Sequence, residues 1–299
     1  MTHAKQMRNE NMDFQAIYQA IGQVIPITWL EPTFMKRALV AVLIISPLCA
    51  VMGVLMVNFR MSFFSDAISH SAFTGIALGV LFNYNPYVSM VIFGVLVGAG
   101  ITKVKQVTEL SVDAIIGVFF SAAVALGIAI VSAKKGLTRN LNSFLYGDIL
   151  AISDSEILWF LGFLVLIVLF LLYSFNKLML IGINDRIAKV KGIDILSYDY
   201  IFAIMLALTI TFSIRAIGIL LVTAMLIVPA SAGRNLARSA FGMFWYSIII
   251  SLISGVSGLA TSYYLDSATG ATIILFAVVC FILTQVAKFI RNKLIVQSE

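Results

Sequence analysis

Stretches of roughly 20 apolar residues, the length a helix needs to cross hydrocarbon at about 1.5 Å per residue, follow one another from Ala38 almost to the end of the chain. Lys and Arg are confined to the short gaps between them. A soluble chain of 299 residues would need polar side chains to cover its core, and long segments here have none. With 61% hydrophobic and only 11% charged residues, the covering medium must be lipid. The fold class is therefore all-α, a polytopic membrane helix bundle.

The runs divide into spans at 38–57, 62–82, 87–102, 112–132 and 157–175, then a long block at 198–228, then 243–265 and 271–287. Asn83-Tyr84-Asn85-Pro86 is a turn sequence. The long block is too long for one helix and is split at Arg215 and Gly218, which leaves a short second piece, 217–228. This gives nine spans, with eight as the alternative. Residues 133–156 are mixed and read as a loop, and 176–194 as a polar, basic segment. Lys288, Arg291 and Lys293 place the C-terminus in the cytoplasm by charge bias, and nine spans then put the N-terminus outside. Lys134, Lys135 and Arg139 fall outside on that count, against the bias.

The net charge of +6 sets topology; no basic face with interleaved aromatics is present, so nucleic acid is excluded as a partner. Cys49 and Cys280 lie within apolar runs without CxxC spacing and read as small core residues. The N-terminus lacks the basic-then-apolar pattern of a cleavable signal, so the first span is expected to drive insertion. Gly75/Gly79 and Gly94/Gly98 are small pairs that permit close helix contact.

Most ionisable groups sit at span ends. Asp66 and His70 do not. Counted as helix from Arg60, Asp66 lies roughly 9 Å and His70 roughly 15 Å into the membrane. An Asp at a helix centre costs roughly 2.5–3.5 kcal/mol on insertion scales, so something must offset it. The i, i+4 spacing stacks carboxylate and imidazole on one face, within reach of one ion. These donors suit zinc, manganese and ferrous iron, and two strong ligands make the incomplete cage that lets an ion leave. Ser65, Ser69 and Thr74 are candidate further oxygens. Spacing alone leaves two other readings open: an Asp–His hydrogen bond that fixes helices, and a proton relay. His3, the other histidine, has no assigned role.

No GxxxxGK[ST] phosphate loop, HExxH or Ser/His/Asp set occurs, so the chain is not read as an enzyme and any ATPase is a separate chain. Val228 to Met243 is the candidate docking element, with Pro229 at a span end and Arg234 and Arg238 one turn apart on a short basic surface helix. A positively charged loop that only sets topology is the alternative.

At this point the chain resembles the permease subunits of the bacterial zinc, manganese and iron ABC importers. SDAISHSAFTGIALG (65–79) is similar to the family signature with Asp and His four apart. VDAIIGVFFSAAVALGI, FLYGDILAIS, NDRIAKVKGI and DSATGATIIL also match, and the likeness spans about 35–287. GILLVTAMLIVPASAGRNLARS (218–239) resembles the span and Arg-containing helix that meets the ATPase. The resemblance implies a fold like that of metal-chelate type importer permeases in a bacterial inner membrane. It further implies Asp66 and His70 as metal contacts, a permease homodimer, paired ATPase subunits and an extracytoplasmic metal-binding protein. The expected cargo is zinc or manganese, with no permanently bound cofactor. A stand-alone proton-coupled carrier using Asp66 and His70 is the rival. Expected divisions are a polar extension (1–34), a transmembrane domain (35–290) and a cytoplasmic tail (291–299). The long extension and Arg215 depart from the family pattern.

Overall fold

The computed structural model describes residues 15, 18–23, 27–133, 145 and 147–296, and the backbone alone at 220 and 294–296. Most of the polar extension, with His3, and the basic group Lys134, Lys135 and Arg139 lie outside these residues. All regular structure among the described residues is helical.

The long helices follow the predicted spans one for one. In order they are α1 (Thr33–Asn58), α2 (Phe64–Leu81), α3 (Pro86–Val107), α4 (Val112–Ala133) and α5 (Asp154–Ile183), then the short α6 (Asp185–Val190), and finally α7 (Ile195–Ile217), α8 (Ile219–Leu236), α9 (Ala240–Leu265) and α10 (Thr269–Val296). Among the described residues, seven are long and apolar enough to cross a membrane. The remaining two long helices, α2 and α8, do not meet that standard and pack within the bundle. The first is short and carries Asp66 and His70; the second is short with Pro229 inside it.

Boundaries follow capping chemistry. Asn85 accepts from the Tyr87 amide with Pro86 in the first turn of α3, and Ser239 accepts from Gly242 at the start of α9. The start of α5 is a capping box, in which Ser153 and Glu156 satisfy each other's backbone amides. That box pulls the helix start back from the expected 157 to Asp154. At its other end α5 runs on to Ile183, through residues expected to be a polar loop. Asn176 and Lys177 are no helix breakers, and the Lys177 ammonium is held by the Tyr198 hydroxyl at 2.8 Å. The long block breaks at Gly218, whose φ of 92° is open to glycine and strained for other residues. The piece after it is longer than expected, because α8 continues through Pro229 to Leu236.

The bundle has a centre and a rim. Over their most apolar windows α1 and α7 are 78% and 67% buried, whereas α4 and α10 are 22% and 17% buried and turn exposed Leu, Ile and Val outward to lipid. Small residues permit the central contacts. A Cβ at Gly53 would strike the backbone of Leu226, so α1 and α8 touch main chain to main chain. One at Gly75 would lie 2.8 Å from Cα of Met90, so the close helix contact that the glycine pair permits is made, with α3. Cross-helix hydrogen bonds add to this: Thr74 donates to the Ala123 carbonyl (2.6 Å) and Ser251 to that of Ser46 (3.0 Å). Both cysteines are free thiols; Cys49 is buried in the core, and Cys280 is only half-buried on the rim.

The two ends of the bundle differ. One gathers Arg60, Lys103, Arg186, Lys189, Lys191, Arg234 and Arg238, all exposed. At the other, the arginines among the described residues are ion-paired: Arg37 with Asp154 at 2.8 Å, and Arg215 with Glu156, its guanidinium also 4.8 Å from the Tyr87 ring. Tyr18, buried at 4% exposure, donates to Asp154 at 2.7 Å. Burial, then that bond to a carboxylate, pushes its hydroxyl up to about 12, so it stays a donor through the physiological range. Arg215, which looked out of place between two spans, is thus neutralised by a partner.

Candidate metal site

Helix α2 lies in the interior, packed most extensively on α3 and α4 and touching α7 and α8 as well. Ala67, Ile68, Ala72 and Ile76 are fully buried, while Asp66 and His70 are half-buried on a more open side. The α-helix through both residues gives the i, i+4 stacking that the spacing predicts. The His70 imidazole and the Phe120 ring of α4 meet edge to face with centroids 5.0 Å apart.

The expected depth rests on a count that the structure changes. It took helical rise from Arg60, but α1 ends at Asn58, and Arg60 stands in a left-handed turn with φ of 56°. Helix α2 begins only at Phe64, so Asp66 lies in its first turn. At helical rise the carboxylate residue is about 3 Å and His70 about 9 Å from the helix start. Both residues belong to the half of α2 nearer the basic end. This position supplies part of the offset that the cost of burial demanded, since the positive end of the helix dipole favours a carboxylate in the first turn by roughly 0.3–1 kcal/mol.

No hydrogen bond or ion pair engages Asp66 among the described residues, so the reading of a structural Asp–His lock finds no support in the geometry. Among the described residues, no cluster of three or more carboxylate, imidazole or thiol groups forms there either. The neighbouring hydroxyls divide. Ser65 donates to Ser62 O (3.0 Å), Ser71 to Ile68 O (2.8 Å) and Thr74 to Ala123 O (2.6 Å). The buried hydroxyl of Ser69 has no partner.

The residues expected to dock an ATPase lie away from α2 in the sequence. Pro229 is inside α8, and Arg234 is exposed in its last turn. Arg238 is exposed too, but helicity stops at Leu236 and Ala237 is extended. The expected short basic helix carrying both arginines therefore does not exist; its residues are divided between α8, a tight turn and α9, because Ser239 caps a new helix. Asn235 ties the same end to α10, bonding Thr284 and accepting from Arg291.

Sequence reasoning passed over α6. Asn184 caps it by accepting from the amides of Arg186 and Ile187, and Gly192, at φ of 73°, follows its end. Ile183, Ile187 and Val190 are 74%, 48% and 88% exposed around it, an apolar surface set among Arg186, Lys189 and Lys191 at the basic end. The available signal was Asn-Asp before a short apolar-basic segment that stops at Gly. Beside α6 a cavity of about 540 Å³ opens, lined by Asn184, Arg186, Lys105, Asn58, Phe59 and Arg60. Its wall includes the turn that leads into Asp66.

Known proteins resemble the chain over most of its length. The high-affinity zinc uptake system membrane protein ZnuB of Haemophilus influenzae is 32% identical over 248 residues, 83% of this chain and 95% of that one. The manganese import system permease protein ScaB of Streptococcus parasanguinis is 29% identical over 251 residues, 84% of this chain and 89% of that one. Among solved structures, PsaBC from Streptococcus pneumoniae in complex with Fab matches with a TM-score of 0.75 at 27% identity, covering 90% of this chain and 94% of that one. A metal-chelate type ABC transporter in an inward-facing conformation shares the fold at a TM-score of 0.65 and 17% identity, covering 83% of this chain and 84% of that one. The model of the ABC 3 transport family matches residues 31–288, and on that match the chain is a multi-pass membrane protein belonging to this family.

Proposed function

We propose that the chain is the permease subunit of an ATP-driven importer of divalent metal, zinc or manganese, in the cytoplasmic membrane of a bacterium. The observation that carries the reading is the Asp66–His70 pair: two metal-binding groups on an interior helix, half-buried and without a locking hydrogen bond. Relatives named for zinc uptake and for manganese import support the cargo class, and the donors also suit ferrous iron. Residues 35–290 form the permease domain, with 1–34 as an extension and 291–299 as a tail.

The basic end faces the cytoplasm, as charge bias requires. Asp66 and His70 then receive the ion toward its exit side, and two weak-cage donors allow release. ATP is bound by separate ATPase subunits, which dock on the cytoplasmic end through Arg234, Arg238 and the exposed apolar residues of α6, with Pro229 in the helix leading to the arginines. Two copies of the chain frame the path, and an extracytoplasmic metal-binding protein delivers the ion. Each partner must favour one pore state over another, since equal affinity for both would shift nothing.

Asp66→Ala and His70→Ala are expected to abolish metal accumulation in cells that depend on this permease, with the protein still inserted in the membrane at parental levels. Cellular zinc and manganese content by mass spectrometry checks this. Parental accumulation in either variant would overturn the assignment.

A further inference from the structure

We propose that the Ser69 hydroxyl is a third donor to the ion held by Asp66 and His70, so that the permease itself contributes to metal selectivity. The inference rests on the metal reading of that pair. On a helix, positions i, i+3 and i+4 form one contiguous patch, and Asp66, Ser69 and His70 occupy it, with the carboxylate at the vertex and the other two groups one turn further on. Ser69 lies roughly 60° around the helix from Asp66 at 3.6 residues per turn. It heads the buried stripe continued by Ala72 and Ile76, each at 0% exposure.

The hydroxyl's condition is the independent observation. Among the described residues, the Ser69 oxygen is the buried side-chain oxygen or nitrogen without a hydrogen-bond partner, in a residue 0% exposed. Other hydroxyls of α2 are engaged with carbonyls: Ser65, Ser71 and Thr74. A buried hydroxyl left unpaired costs roughly 1–3 kcal/mol, and an alanine of nearly the same shape would avoid that cost. A structural role therefore gives no reason for serine here, whereas a passing cation does. The ion reaches Asp66 and His70 from the half-open side and meets the Ser69 oxygen on the buried flank. A donor set of two oxygens and one nitrogen is harder than the pair alone, which favours manganese relative to zinc.

The test pairs stability with binding in the purified full-length permease and with uptake in cells. Ser69→Ala is expected to leave the melting temperature unchanged or raised while lowering uptake at limiting manganese roughly tenfold, the lower end of losses seen when even supporting groups of a metal site are removed. Ser69→Cys places a soft sulfur in the patch, and added Cd2+ should give a thiolate-to-cadmium absorption band beyond that of the parent, lost again when Asp66→Ala is added. Unchanged uptake in Ser69→Ala, or no Asp66-dependent band in Ser69→Cys, overturns the third donor while Asp66→Ala still abolishes uptake. Unchanged uptake in Asp66→Ala itself overturns the underlying metal reading instead.

Discussion

Asp66 and Thr74 are two polar residues of one helix that the fold engages differently. Thr74 is fully buried and bonded to Ala123 O on α4, so it belongs to helix packing. Thr74→Val keeps the shape and removes that bond; it should destabilise the permease by about 0.6 kcal/mol, the mean for interhelical hydrogen bonds in membranes, and leave uptake near parental. A thermal melt in detergent beside an uptake assay checks both halves. Asp66 behaves oppositely, since no bond of the fold among the described residues depends on it and its replacement should cost function and not stability. The i, i+4 spacing of Asp66 and His70 was legible from the sequence because α2 is regular throughout. Their place in the first half of the helix was not, because it depends on a left-handed turn at Arg60 that neither hydropathy nor Gly or Pro announces.

At the scale of elements, α2 is positioned by how closely α3 approaches it. Gly75 presents bare backbone to Met90, and a Cβ at Gly79 would come 2.9 Å from Cα of Pro86. Gly75→Leu should force the two helices apart at roughly 1–3 kcal/mol, the usual range for overpacking. The measurement is again the melting temperature, with lost uptake as a consequence. Helix existence was readable from apolar length alone, whereas the reach of α5 and α8 was not. Capping at Ser153 and continued helix past Lys177 and Pro229 depend on local hydrogen bonds and tertiary contacts that a hydropathy window averages away. The same averaging hid α6, which is too short to register as a span. With Arg234 and Arg238 in separate elements, a double Arg234→Glu, Arg238→Glu variant and Val190→Asp on α6 probe two distinct contacts. Each should weaken co-purification of the ATPase without altering the melting temperature of the isolated permease.

The whole molecule is a bundle whose two ends handle charge differently. Arg37 and Arg215 at one end are paired with Asp154 and Glu156, and at the other end Arg60, Arg186, Lys189 and Lys191 stand exposed around α6 and a cavity, with Lys105 paired to Asp199. This asymmetry fits a machine driven from the basic side, where the turn next to the cavity leads directly into the helix of Asp66 and His70. Reconstitution separates this from a self-sufficient carrier. Proteoliposomes containing the permease with its ATPase, supplied with the binding protein, should accumulate radioactive manganese or zinc only with ATP, and those with Asp66→Ala should accumulate none. Accumulation by the permease alone along a proton gradient, or undiminished ATP-driven accumulation in Asp66→Ala, would contradict the account.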